Sequence, residues 1–225
     1  MEKVNYQIQM EKIIKDIQKE NLSSKPKLLL HACCGPCSSF VIESLSSIFE
    51  ITIYFYNPNI HPKTEYDRRL NELQNFLKIF PPALSNKVKI IVDDYNPQEY
   101  FEATNVLNEP ELQTEKEKGI RCFRCYKFRM EKSWNYALQN NFDFFTTTLS
   151  ISPHKDSQKI NQIGKELELS KNDCSNQLKF LYSDFKKKGG FLRSTQLTSE
   201  FNMWRQDYCG CIYSMRKTGE NDEKK

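Results

Sequence analysis

The sequence predicts an α/β protein built on a mostly parallel sheet and ending in a helical, irregular C-terminal extension. Three observations predict it. Short apolar runs rich in β-branched and aromatic residues stop abruptly in loops, as strands buried on both faces do. Segments with helical apolar spacing fill the intervals, so strand and helix alternate along the chain. No internal repeat or low-complexity linker interrupts the 225 residues, which are enough for one substantial core.

Ile8, Ile13, Ile14 and Ile17 predict a leading amphipathic helix over Tyr6–Lys19, stopped by the Ser23-Ser24-Lys25-Pro26 break. Leu28–Ala32 reads as the first strand and Ser38–Ser47 as the helix after it. Ile51–Tyr56 is the second strand, closed by Asn57-Pro58-Asn59. Thr64–Phe80 follows as a helix with Leu70, Leu73, Leu77 and Phe80 on one stripe, and Thr64 with Asp67 resembles a capping box. Strands are expected at Val88–Val92, Phe142–Thr148 and Leu178–Tyr182, and helices at Lys127–Asn140 and Asp156–Leu169. The organisation expected is an N-terminal helix over 1–26, one α/β metal-binding domain over 27–216 and a charged tail over 217–225. Ligands of open parallel sheets bind beyond the carboxyl ends of the strands. Cys33, Asn57, Asp93, Asp94, Thr146 to Thr148 and Asp184 are therefore expected to line one crevice.

The cysteines carry the chemistry. Seven of eight fall in three tight clusters: Cys33-Cys34-Gly35-Pro36-Cys37, Cys122-Phe123-Arg124-Cys125 and Cys209-Gly210-Cys211. Each cluster supplies too few ligands to close a metal site alone, so folding is expected to bring them together. Two other readings compete. Cys34-Gly35-Pro36-Cys37 after a strand is also a thioredoxin-type dithiol, but that leaves the other clusters unexplained. Structural zinc accepts the same thiolates, although the two C-x-x-C hooks lie far apart in sequence. Four thiolates on a cubane, with three on a second metal beside it, use all seven. Cys174 reads as a free loop thiol. His31, inside an apolar strand, reads as structural, and His61 and His154 as loop residues at the crevice.

Composition removes several function classes. No apolar run is long enough to span a membrane and Met1 to Lys27 lacks a secretory core, so a cytoplasmic protein is expected, with no membrane partner. Clustered thiols in that reducing compartment are ligands or redox groups before they are disulfides. The net charge of +4 permits a nucleic-acid partner without requiring one. No Gly-rich phosphate loop of either standard kind occurs, which disfavours nucleotide-driven chemistry and leaves electrons to an external protein or small reductant.

Taken in order, the motifs resemble those of the epoxyqueuosine reductase QueH family. They are Leu29-Leu30-His31-Ala32-Cys33-Cys34-Gly35-Pro36-Cys37, and Tyr56 to Pro62 with Glu65, Tyr66 and Arg69. Arg121 to Cys125 with Arg129, Thr147-Thr148-Leu149 and Ser152-Pro153-His154-Lys155 follow. Asp184 to Lys187, Arg193-Ser194 and Arg205-Gln206-Asp207-Tyr208-Cys209-Gly210-Cys211 with Ser214 complete the series.

The resemblance implies a Rossmann-like sheet similar to adenine nucleotide α-hydrolases without their ATP loop, carrying a 4Fe-4S cluster next to a second iron. It assigns Cys34, Cys37, Cys122 and Cys125 to the cluster, and Cys33, Cys209 and Cys211 to the iron. The implied reaction turns the epoxide of epoxyqueuosine, at the wobble position of a tRNA anticodon loop, into the alkene of queuosine with two electrons and two protons. Asp184, His154 and Tyr208 are the candidate proton donors, and Asn57 and His61 candidate substrate contacts. Lys186, Lys187, Lys188 and Arg193 read as a phosphate-contacting segment, and Trp204 and Tyr208 as base-stacking rings or core. Two further readings stay open: tRNA thiolation, against which the missing ATP loop argues, and a zinc-stabilised RNA-binding module.

Overall fold

The computed structural model describes residues 4–20, 22–171 and 177–215, so Cys174 and the tail beyond 215 lie outside the described residues. Among the described residues five parallel strands form one sheet in the order β3-β2-β1-β4-β5. They are β1 (Lys27–His31), β2 (Glu50–Phe55), β3 (Lys89–Val92), β4 (Phe144–Thr147) and β5 (Lys179–Phe180). The helices are α1 (Tyr6–Lys19), α2 (Gly35–Leu45), α3 (Lys63–Ile79), α4 (Pro81–Ser85), α5 (Pro97–Thr104), α6 (Glu111–Thr114), α7 (Ile120–Gln139), α8 (Ser157–Lys171) and α9 (Gly190–Glu200). Among the described residues no helix is long and apolar enough to cross a membrane.

Period-two alternation splits the core into two layers. Leu28, Leu30, Ile51, Ile53 and Phe55 face one cluster with Val41 of α2, Leu73 of α3 and Leu197 of α9. Leu29, Tyr54 and Phe145 face the other, with Met130 and Trp134 of α7 and Ile160 and Ile163 of α8. Gly164 of α8 shows how tightly the second layer closes. A Cβ there would stand 2.3 Å from the Phe180 ring, and that ring is 1% exposed. Gly164→Ala gains helix propensity, yet overpacking outweighs it, so a net loss of about 1–3 kcal/mol is expected in urea unfolding.

Several expectations are corrected. α7 begins at Ile120, seven residues before the expected Lys127, so Cys122 and Cys125 sit on a helix rather than in the loop before it. Its inward face carries Arg121 and Arg129, both 2% exposed, which breaks the apolar period. Pro62 caps α3 without a side-chain hydrogen bond; Thr64 lies inside the helix and Asp67 pairs instead with Lys63, so no capping box forms. β5 spans two residues where five were expected, and α5 and α6 occupy a stretch with no predicted element.

The order β3-β2-β1-β4-β5 places the switch in strand order at β1, which pairs with β2 on one side and β4 on the other. The crevice of such a sheet opens at that point. Cys33 follows the carboxyl end of β1 directly. His31 locks the same place: its Nδ1 lies 2.8 Å from Thr147 Oγ1 and its Nε2 3.2 Å from the Tyr56 carbonyl, tying together the ends of three strands. Burial, with the Arg129 charge second, lowers its pKa to about 3, so the ring is a neutral strut at physiological pH.

Candidate metal centre

The seven clustered cysteines meet beyond the carboxyl ends of the strands, all as free thiols. They form two groups. The Sγ atoms of Cys33, Cys34 and Cys37 all lie within 4.8 Å of one another, with Cys33 and Cys34 3.9 Å apart. Thiolates around one tetrahedral ion stand roughly 3.8 Å apart, given metal–sulfur bonds of about 2.3 Å. Cys34 is the N-cap of α2 and its sulfur accepts from the Cys37 N–H at 3.3 Å, so the helix start itself folds this triad.

Cys122 and Cys125, one turn apart on α7, line a small cavity together with Cys209 and Cys211. Tyr100 of α5 closes this group from below, its hydroxyl 2.9 Å from Cys211 Sγ. Ser214 Oγ lies 3.0 Å from Cys209 Sγ. The spatial grouping therefore joins Cys209 and Cys211 to Cys122 and Cys125, and Cys37 to Cys33 and Cys34. It differs from the division that the family resemblance implies.

The Cys209–Cys211 loop is held from outside by Arg69, which is 1% exposed. Its guanidinium donates to the Tyr208 carbonyl at 3.0 Å, the Cys209 carbonyl at 3.2 Å and Glu65 at 2.7 Å. The His61 N–H donates to the Gly210 carbonyl at 2.8 Å. Gly210 has φ +102, and a Cβ there would meet Ile60 at 2.8 Å and the Arg69 guanidinium at 3.1 Å, so the turn requires glycine.

Two cations, Arg129 and Lys155, stand beside the thiols. Arg129 donates to the Asn57 side chain, and among the described residues it forms no ion pair. Its Nε is buried without a partner. Such a charge needs anions nearby, and sulfur lies within its reach: the guanidinium acts on both Cys33 and Cys125. Burial works against the charge of Lys155, yet Cys209 and Cys33 outweigh it and keep its pKa raised.

One thiolate in each group is favoured. Hydrogen bonds from Cys34 and Cys37 lower the Cys33 pKa, and a hydrogen bond from Cys211, followed by Lys155, lowers that of Cys209. Their neighbours move the other way: the bond to Cys33 pushes Cys37 up to about 12, and burial pushes Cys125 up to about 11. Seven free thiols beside the buried Arg129 and the half-buried Lys155, with Glu117 the one carboxylate on the lining that the two cavities share, fit thiolate-held iron.

Gln206 lies across the triad, donating from Nε2 to Cys34 Sγ at 3.0 Å and Cys37 Sγ at 3.6 Å. Its Oε1 is buried without a donor, an arrangement costing about 1–3 kcal/mol. The open crevice above holds about 260 Å³ and shares Glu117, His154, Lys155 and Cys209 with the cavity at the second group. A ligand in it reaches both.

Of the residues expected at the crevice, Cys33, His154 and Tyr208 line it. Asn57 and Thr146 to Thr148 are buried beneath it, and Asp93 accepts from Tyr54 on the flank; with Asp94 they are absent from its lining. Asp184, 4% exposed, is likewise behind the wall, bound to Ser157 and Lys186. His61 Nδ1 donates to the Asn59 carbonyl and the ring packs on Tyr100 and Phe101. Lys186 is held by Asp184, Lys188 by Glu11, and Arg193 by Glu43 and Glu200, while Lys187 is exposed. Sequence reasoning missed Tyr100, Glu117 and the roles of Lys155 and Gln206; the last two stand inside the motif stretches, and the first two carry no such signal.

Comparison with known proteins places the family. The profile of the family described as epoxyqueuosine reductase QueH matches residues 28–217. The chain is 39% identical over 218 residues to "Epoxyqueuosine reductase QueH" of Streptococcus pyogenes serotype M1, covering 97% of this chain and 81% of the relative. It is 37% identical to the protein of that name from Staphylococcus epidermidis, covering 97% and 87%. To the one from Thermotoga maritima it is 29% identical, covering 86% and 92%. A family match over that span, seated on the residues that gather the thiols, places this chain in the epoxyqueuosine reductase QueH family.

Proposed function

We propose that the protein is an oxidoreductase that deoxygenates epoxyqueuosine in tRNA. The epoxide loses its oxygen as water, two electrons and two protons are consumed, and an alkene remains between the two carbons. The observation that carries this reading is the meeting of two thiol groups at the floor of one open crevice. The quartet Cys122, Cys125, Cys209 and Cys211 would hold a 4Fe-4S cluster, and the triad Cys33, Cys34 and Cys37 a second iron. When bound, these groups supply single-electron transfer and a Lewis acid.

The chain supplies the rest. A nucleotide splayed from the anticodon loop enters the crevice, where a paired base could not reach the floor. His154, exposed on the lip shared by both cavities, gives a proton to the departing oxygen. Lys155 beside it holds developing negative charge. Tyr208 donates its hydroxyl to the His61 carbonyl and so fixes the approach to Cys209. Asn57 orients Arg129 from below while bonding the Ala32 carbonyl at 2.9 Å. Electrons come from an external donor.

The test is incubation of anaerobically purified protein with reductant and epoxyqueuosine-containing tRNA, followed by mass analysis of the released nucleosides. The expected product is lighter by one oxygen. A product heavier by sulfur would mean thiolation, and an unchanged nucleoside with zinc-loaded protein would mean a binding module; either outcome rejects the proposal.

A further inference from the structure

Two arginines on the flank of the crevice lie over aromatic rings and carry no carboxylate. The Arg68 guanidinium stands 3.7 Å from the centroid of Trp204, and that of Arg205 4.9 Å from the centroid of Phe191. Both arginines are exposed and both rings half-buried. Among the described residues neither forms an ion pair, whereas Arg69, Arg124 and Arg193 each do. Arg205 and Phe191 line the crevice, Trp204 adjoins Arg205 in the chain, and Arg68 adjoins Arg69 of the crevice wall.

The stacks are anchored. The backbone N–H of Trp204 donates to Glu72 at 2.9 Å, and Arg205 donates to Thr195 Oγ1 at 2.8 Å. Arginine held on a ring keeps its charge, presents a second planar face and loses little further freedom on binding. The lysine run nearby is different in kind, because Lys186 and Lys188 are spent on carboxylates.

We propose that these two arginine–aromatic stacks form a ledge that seats the unpaired nucleotides on either side of the one in the crevice. The inference rests on the reading that this nucleotide belongs to a tRNA loop. Single-stranded RNA offers what the ledge accepts, namely exposed base faces for the planes and phosphates for the charges. It also gives the enzyme a hold on its substrate outside the reacting ring, so that the crevice needs to fit only one nucleotide.

The experiment titrates a fluorophore-labelled anticodon stem-loop RNA with anaerobically purified, metal-loaded protein over a range of salt. Arg68→Ala and Arg205→Ala are each expected to weaken binding on the order of tenfold. Each should also flatten the dependence of log affinity on log salt by about 0.7. Trp134, 0% exposed, is the other of the two tryptophans, so RNA-induced change in tryptophan fluorescence is expected to vanish in Trp204→Leu. Arg205→Lys keeps the charge without the plane, and is expected to keep the salt dependence while losing most of the affinity. Iron content of each variant reports an intact centre, and Arg68→Gln and Arg205→Gln serve if an alanine variant loses iron. Unchanged affinity and salt dependence in the arginine variants would overturn the ledge, as would full recovery by lysine. Wild-type protein that neither binds the stem-loop nor deoxygenates tRNA would overturn the functional reading together with it.

Discussion

Cys209→Ala is expected to lose acid-labile sulfide, as Cys122→Ala and Cys125→Ala do, while Cys34→Ala and Cys37→Ala keep the sulfide and lose the second iron, and all five lose activity. The prediction follows from which thiols share a cavity and which share a helix start. Cys209 and Cys211 share a cavity with Cys122 and Cys125, and the helix start that carries Cys34 and Cys37 folds them against Cys33. Under the division implied by family resemblance the outcome is reversed: Cys34 and Cys37 variants lose sulfide and the Cys209 variant retains it. Loss of a residue that merely orients a ligand costs about 10- to 100-fold in metal affinity or activity, so loss of a ligand should exceed that. Sulfide assay, iron assay and tRNA turnover on the five variants decide between the two groupings.

Arg69→Met is expected to cost about 3–5 kcal/mol and to lower the urea midpoint of the holoprotein accordingly, because it strands the carboxylate of Glu65. The side chains of the pair are 1% and 10% exposed, so water does little to relieve the remaining charge. The substitution also frees the Tyr208 and Cys209 carbonyls from their donor, which loosens the loop that carries two thiols. Glu65→Gln added to Arg69→Met should restore a good part of the stability but not the iron content. A double variant that regains neither would show that Arg69 acts through something other than this ion pair.

Much of this architecture is legible in the residues. The isoleucine spacing of α1 gives its bounds, Tyr6–Lys19, and the alternation of strands and helices gives a parallel sheet with the first cysteines at a strand end. α7 is less legible because the site reaches into it. Arg121, Cys125 and Arg129 replace apolar residues on its buried face, so the periodicity that marks a helix fades where the thiols are mounted. The lysines after Asp184 illustrate the converse, since a run that reads as a phosphate grip is partly neutralised by Asp184 and by Glu11 from α1. Three cysteine clusters predict a shared centre, but which thiol joins which depends on a helix cap and a glycine turn. Those are properties of folded space that spacing does not encode.

Iron and acid-labile sulfide, measured per chain on protein purified without oxygen, test the central claim most directly. Two thiolate-held centres side by side predict about five irons and about four sulfides, with brown colour that air removes. Colourless protein containing zinc and no sulfide would contradict the account.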